Sequence, residues 1–316
     1  MGSNTVYNAR MSNLLDRDLS LAASADVRAA AAPVLREVID FGLAAFQRCS
    51  ATAEGHDTPM GVLFPFLHVF EMLDGVEIQL DKAAPIPATT TLRAAFEALL
   101  AMDWVAKEDS ERRGAAYVVA EVHRRLARME RYDFTTERGK QLRAVLDSDE
   151  LGKGLEFPEI PEGEKDREEL RSLLDEPHLK TAAGEYDRTK QVMNRTPEFY
   201  ALWGGPRDLE SLARKLGRSA YYEILYRSWS GTAHANDLTR QLRHVDGQAA
   251  IARLRDGSEL VATYAHAIHI GLQAIEVGLN KYRYDELKSF WTWYRSVVSP
   301  VYRRLTPKPS NVGRAV

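Results

Sequence analysis

The densest group of chemically active side chains lies in residues 226–237, which read YRSWSGTAHAND. On a helix, residues at positions i, i+3, i+7 and i+10 share one face. Here those positions hold a guanidinium, a hydroxyl, an imidazole and a carboxylate: Arg227, Ser230, His234 and Asp237. Histidine changes charge near neutral pH, so it can accept or return a proton. Arginine can bind a phosphate and stabilise the charge that develops on it.

This pattern predicts a polar pocket on one helix, and two interpretations of it stay open. In the first, Arg227 and His234 are a catalytic pair that acts on a phosphodiester. In the second, the side chains form a buried hydrogen-bonded network that fixes the register of the helix. The helix contains Gly231, which costs about 1 kcal/mol relative to alanine. Such a glycine is typical of a place where a ligand or another backbone approaches closely.

An earlier segment offers a second pair of charges, Arg93 and Glu97, followed by Asp103 and Trp104. One helical turn separates Arg93 from Glu97, so the simplest expectation is an ion pair within the helix. The functional expectation is that Glu97 orients His234 and that Arg93 reaches the same pocket. That expectation requires the two helices to pack against each other.

Together, these motifs resemble those of a bacterial family of unknown function. The resemblance rests on Tyr226-x3-Ser230-x3-His234 and on Arg93-x3-Glu97, in this order and separation, and covers roughly residues 30–280. That family is similar to the HEPN superfamily of helical domains. Many HEPN proteins are RNA-cleaving toxins or phage-defence nucleases that use Arg-x4-6-His, need no metal and act as dimers.

The resemblance implies a HEPN-like core, with Arg227 and His234 as the catalytic pair. Binding or supporting residues would be Arg93, Glu97, Tyr226, Ser230, Asn236 and Asp237. It further implies no cofactor, a homodimer, RNA as substrate, and an antitoxin or regulatory protein as partner. The same spacing recurs at Arg171 and His178, which lie in an acidic connector and are not assigned a role.

Two other classes of function remain as alternatives. Ser228 follows the arginine where HEPN ribonucleases usually carry Asn, Asp or His, and the net charge is only -3. Both facts favour a catalytically silent module that binds a protein, a nucleotide or RNA. A helical metal enzyme would draw its ligands from His68, Glu71, His266 and His269. The standard nucleotide-binding, hydrolase and zinc-protease motifs do not occur in the sequence.

Hydrophobic periodicity predicts helices almost throughout, and hence an all-α, irregular multi-helix bundle. Helices are expected over 26–50, 60–82, about 89–107, 110–131, 135–150, 165–175, 180–193, 207–216, 218–243, 259–280 and 285–304. At most a short β-hairpin or strand is expected near 250–258. The chain divides by composition into 1–150, an acidic connector or subdomain at 151–206, and 207–316. A single cysteine and the lack of a membrane-length apolar run predict a cytoplasmic protein without a membrane partner.

Overall fold

The all-α prediction is confirmed. The computed structural model of the protein describes residues 14–54, 58–155, 163–233, 242–245, 248–251, 253–255 and 257–306. Its first α-helices are α1 (Arg17–Ala23), α2 (Ala25–Thr52), α3 (Met60–Asp81), α4 (Pro85–Lys107), α5 (Ser110–Tyr132), α6 (Glu137–Ser148), α7 (Gly163–Leu174), α8 (Pro177–Met193) and α9 (Leu209–Lys215). No helix of this described part is long and apolar enough to cross a membrane.

The carboxyl-terminal part contains three further long helices. The first, α10, joins Ser219–Tyr221, the π-helical turn Tyr222–Tyr226 and Arg227–Ala233. The second, α11, is Leu260–Tyr282. The third, α12, joins Leu287–Trp293, a second π-helical turn at Tyr294–Val298 and Ser299–Leu305. Short 3-10 helices lie at Phe199–Gly204, Gly257–Glu259 and Tyr284–Glu286.

The chain forms two compact units that are not continuous in sequence. One comprises Met1–Glu54, Val62–Ala106 and Ala213–Val316, and the other Gly55–Gly61 and Lys107–Leu212. Both predicted motif helices, α4 and α10, belong to the first unit. The predicted three-part division of the chain stays a prediction.

In the first unit the core is built where α2 packs along α11. The inner face of α11 is apolar, and Ile268, Ile275 and Leu279 are fully buried. The close approach of α2 to α3 depends on Gly42, where an added Cβ would clash with the ring of Phe70. This tightly packed layer supports the helices that carry the candidate site.

In the second unit, α5 packs against α7 and α8. Val122 and Leu126 from α5 and Leu170 from α7 form the centre of a small apolar cluster. Thr136 begins α6 as its N-cap, since its hydroxyl accepts a hydrogen bond from the backbone N–H of Gly139 at 3.0 Å. The predicted helices over 110–131, 135–150, 165–175 and 180–193 are present with shifts of a few residues.

Two expectations about local structure were wrong. Residues 85–89 were expected to separate the helices predicted over 60–82 and about 89–107, but α4 already begins at Pro85. Proline lacks an N–H and is tolerated in the first turn of a helix. Residues 242–243 were predicted to be helical, but they belong to an antiparallel hairpin of Leu242–Val245 and Gln248–Ile251. A short hairpin or strand was expected near 250–258, and the second strand of this hairpin, Gln248–Ile251, reaches into that range.

Candidate functional site

The helix that carries the candidate site, α10, contains a π-helical turn immediately before Arg227. A π-turn widens the helix by one residue per turn and changes which side chains face the same way, and such turns are frequent at functional sites. Here the turn contains Tyr222, Glu223 and Tyr226. The rings of Tyr222 and Tyr226 stack, with centroids 4.9 Å apart and planes inclined by 19°.

Tyr226 joins α10 to α4 through a closed triangle of hydrogen bonds. Arg93 Nη2 donates to the Tyr226 hydroxyl at 2.9 Å, and that hydroxyl donates to Glu97 Oε1 at 2.8 Å. Arg93 Nε also donates to Glu97 Oε1, at 3.1 Å. Tyr226 is largely buried, and burial together with the Glu97 bond raises the pKa of its hydroxyl to about 12. The phenol therefore stays a hydrogen-bond donor throughout the physiological pH range.

Beyond the triangle, the tyrosine pair carries an arginine at each end. The guanidinium of Arg93 lies 4.8 Å from the centre of the Tyr226 ring, and that of Arg227 lies 5.4 Å from the centre of the Tyr222 ring. Arg227 Nε also forms an ion pair with Glu223 at 2.7 Å, and both side chains are about half exposed to solvent. We call the series Arg93, Tyr226, Tyr222 and Arg227 the Arg–Tyr ladder.

A second clamp fixes the amino-terminal end of α10 to α4. Arg218 forms an ion pair with Asp103 through Nε at 2.8 Å and Nη2 at 2.7 Å, and a hydrogen bond with Gln273 of α11. Both charged side chains are mostly buried. Since Glu97 and Asp103 contact Tyr226 and Arg218 respectively, the two helices run antiparallel. Arg218 therefore links the start of α10 to both α4 and α11.

Two aromatic residues of α10, Tyr221 and Trp229, pack onto two histidines of α11. Tyr221 stacks on His269 at 4.8 Å, and Trp229 meets His266 edge to face at 6.0 Å. His269 Nδ1 lies 3.4 Å from the hydroxyl of Tyr302. Burial, with help from the nearby charge of Arg218, lowers the pKa of His269 to about 4, and burial also lowers that of His266. Both histidines are therefore neutral packing residues near pH 7.

The structure thus brings together three of the predicted site residues, Arg93, Glu97 and Tyr226. Arg227 joins them through Tyr222, and Ser230 lies half-buried one turn further along α10. The predicted packing of the two motif helices is present. His234, Asn236 and Asp237 lie outside the described residues, so the predicted role of Glu97 in orienting His234 stays a prediction.

Sequence reasoning missed Tyr222, Glu223 and Arg218. Two signals were available in the spacing Tyr222-x3-Tyr226 and Glu223-x3-Arg227, which places each pair one turn apart. The suggestion that Gly231 permits a close approach finds no contact, because no described atom lies within 4 Å of a Cβ added there. The side of the helix at Gly231 is open among the described residues.

The residues considered as metal ligands lie on two helices. On α3, His68 Nδ1 pairs with Glu71 Oε2 at 3.1 Å on an exposed surface. His266 and His269 pack instead against the aromatic residues of α10. Within the described parts of the chain, no three His, Cys, Asp or Glu residues are grouped so that they could hold a metal ion.

The fold and the site define an all-α protein with a paired arginine–tyrosine surface between two antiparallel helices. The chain belongs to a family of unknown function (DUF5677), whose model matches residues 61–249 and so includes both motif helices. The match confirms the expected membership of a family of unknown function. No curated protein and no solved structure gave a significant match.

Proposed function

We propose that this protein is a metal-independent endoribonuclease of HEPN type, in which Arg227 and His234 form the catalytic pair. The observation that carries the proposal is the Arg–Tyr ladder, which places two guanidinium groups beside stacked aromatic rings. Arginine is suited to phosphate oxygens, and the side chain of Arg227 is about half exposed to solvent. Ser230 and His234 follow Arg227 in the sequence, three and seven residues later.

In the proposed reaction, His234 takes the proton of an RNA 2′-hydroxyl. The 2′-oxygen then attacks the adjacent phosphorus, and the bond from phosphorus to the 5′-oxygen breaks. The 5′-oxygen leaves with a proton from His234 or from water, and the products are a 2′,3′-cyclic phosphate and a 5′-hydroxyl end. Arg227 stabilises the negative charge that builds up on the phosphate oxygens.

Before RNA binds, Arg227 is held by Glu223 and by the ring of Tyr222. An ion pair between residues four apart on a helix contributes about 0.3–0.5 kcal/mol, and an exposed cation–π contact about 0.5–1 kcal/mol. A phosphate can displace contacts of this size, because arginine–phosphate hydrogen bonds are charge-assisted and bidentate. Replacing Glu223 with Gln should therefore tighten RNA binding severalfold.

A second candidate function is binding without cleavage. The specific observation in its favour is that Glu97 and Glu223 balance the charges of Arg93 and Arg227, which leaves the ladder neutral. In this case the protein acts as a helical binding module for RNA, a nucleotide or a partner protein. A homodimer, an antitoxin or a regulatory partner, and a role in toxicity or phage defence, belong to the ribonuclease proposal.

The experiment compares wild type, His234→Ala and Arg227→Ala on total RNA and tRNA in EDTA, with the 3′ ends mapped. The matched control is Arg171→Ala with His178→Ala, because this pair has the same spacing and lies exposed in the other unit. The ribonuclease proposal is supported if wild type and the control variant cleave RNA to 2′,3′-cyclic phosphate ends, whereas His234→Ala and Arg227→Ala do not. Cleavage that survives in His234→Ala overturns it. RNA binding without cleavage by any variant supports the binding module.

A further inference from the structure

One face of α3 is unusually apolar for a surface helix. Phe64 is 54% exposed, Leu67 41% and Ile78 55%. At 100° per residue they lie within about 60° of one another around the helix. Single exposed apolar residues need no explanation, but several large ones on one helix face are typical of an interaction surface.

The same face carries negative charge. Glu71 and Asp74 are exposed between the apolar residues, and His68 pairs with Glu71 at 3.1 Å. The helix contains no Lys or Arg, and its other two acidic residues, Glu77 and Asp81, pair with Arg36 of α2. We define the α3 face by the exposed residues Phe64, Leu67, His68, Glu71, Asp74 and Ile78.

From this pattern we propose that the α3 face is a docking surface for a basic amphipathic helix of a partner protein. The stripe from Phe64 to Ile78 extends for about 21 Å, the length of four helical turns. A partner helix would place apolar residues at three- and four-residue spacing against the stripe. Its Lys or Arg residues would flank them and pair with Glu71 and Asp74.

The negative charge of the α3 face favours a basic partner helix over two other occupants, a second copy of the chain and an anionic membrane. A second copy of the chain, paired through the same face about a two-fold axis, would bring Glu71 against its own symmetry mate. An anionic membrane surface would repel the same carboxylates. A cationic helix gains from both the apolar stripe and the acidic residues. The inference stands independently of the ribonuclease proposal, because it uses no residue of the Arg–Tyr ladder.

The test uses the full-length protein and two fluorescein-labelled 18-residue peptides. Both carry Leu at three- and four-residue spacing; the basic peptide has Lys and Arg at the flanking positions, and the acidic one has Glu there. Fluorescence anisotropy gives the Kd of each. We expect the basic peptide to bind wild type at least tenfold more tightly than the acidic peptide. Phe64→Asp and Ile78→Asp should each weaken binding at least tenfold.

A charge reversal provides the sharper readout. Glu71→Lys combined with Asp74→Lys should invert the preference, so that the acidic peptide binds more tightly. Val145→Asp is the matched control, because Val145 is 62% exposed on a helix of the other unit. Phe64→Ser repeats the test with a milder change, and circular dichroism checks that every variant is folded.

Equal affinity for the two peptides, or binding that Phe64→Asp and Phe64→Ser leave unchanged, would overturn the proposal. Sedimentation equilibrium and flotation with phosphatidylserine vesicles test the other occupants. Self-association abolished by Phe64→Asp would assign the face to a second copy of the chain. Vesicle binding abolished by the same change would assign it to a membrane surface, and either result would replace the partner helix.

Discussion

Replacing Tyr226 with Phe isolates the contribution of the hydrogen-bonded triangle to stability. The change removes one hydroxyl, and with it the bonds to Arg93 at 2.9 Å and to Glu97 at 2.8 Å. The ring contacts with Phe96 and Tyr222 stay, as does the ion pair between Arg93 and Glu97. The measured effect therefore belongs to the hydroxyl alone.

The expected loss follows from the partners and their exposure. A hydrogen bond to a charged group contributes about 1.5–3 kcal/mol when it is buried. Here the Arg93 side chain is 24% exposed and that of Glu97 is 43% exposed. Water and the surviving ion pair can satisfy part of both charges. We therefore expect Tyr226→Phe to lower the free energy of unfolding by about 1–2 kcal/mol.

Urea denaturation followed by tryptophan fluorescence measures this change, with Tyr132→Phe as the control, since Tyr132 is 54% exposed. A double-mutant cycle with Arg93→Met should give a coupling energy of about 0.5–1.5 kcal/mol. The pKa of about 12 for Tyr226 adds an independent readout. Because this pKa is raised by folding, its contribution is complete below pH 10 and is lost as the pH rises to 12.

The reasoning would be refuted if Tyr226→Phe changed stability no more than Tyr132→Phe does. It would also be refuted if the cycle with Arg93→Met showed no coupling. In addition, the loss of stability between pH 10 and 12 should be shallower in Tyr226→Phe than in wild type. An unchanged slope would mean that the hydroxyl is not held as the structure indicates.

Three further predictions concern buried groups. Because folding lowers the pKa of His269 from 6.5 to about 4, wild type should lose up to about 3 kcal/mol as the pH falls through this range. His269→Asn should flatten that slope in urea titrations at pH 7 and 4.5. Gly42→Ala should destabilise by about 1–3 kcal/mol, since its Cβ would meet Phe70, whereas Gly231→Ala should stabilise by up to about 1 kcal/mol. The melting temperatures of Gly42→Ala and Gly231→Ala test this difference. Equal shifts in the two variants would contradict the close packing of Gly42 against Phe70. Cys49 is buried with its thiol pKa raised to about 11, so Ellman's reagent at pH 8 should react only when the protein unfolds. Rapid reaction of the native protein would contradict this.

The sequence by itself determined the fold class and most of the helices. Apolar residues at three- and four-residue spacing predict α5 because only a helix can bury them on one side. The same kind of local rule predicts the ion pair of Arg93 and Glu97, which needs only one helical turn. Local rules failed at Pro85. This proline was expected to lie between two helices, but it occupies the first turn of α4, where a proline is tolerated.

Only the tertiary structure decided which residues join α10 to α4. Tyr226 binds Glu97 across 129 positions of sequence, and Arg218 binds Asp103 across 115. Such partners follow from the antiparallel packing of α4 and α10, which no local pattern encodes. The stack of Tyr222 on Tyr226 was within reach of a local rule, because residues four apart lie one helical turn apart. The polar spacing predicted a stripe along α10, whereas tertiary packing placed Arg93 and Glu97 beside Tyr226.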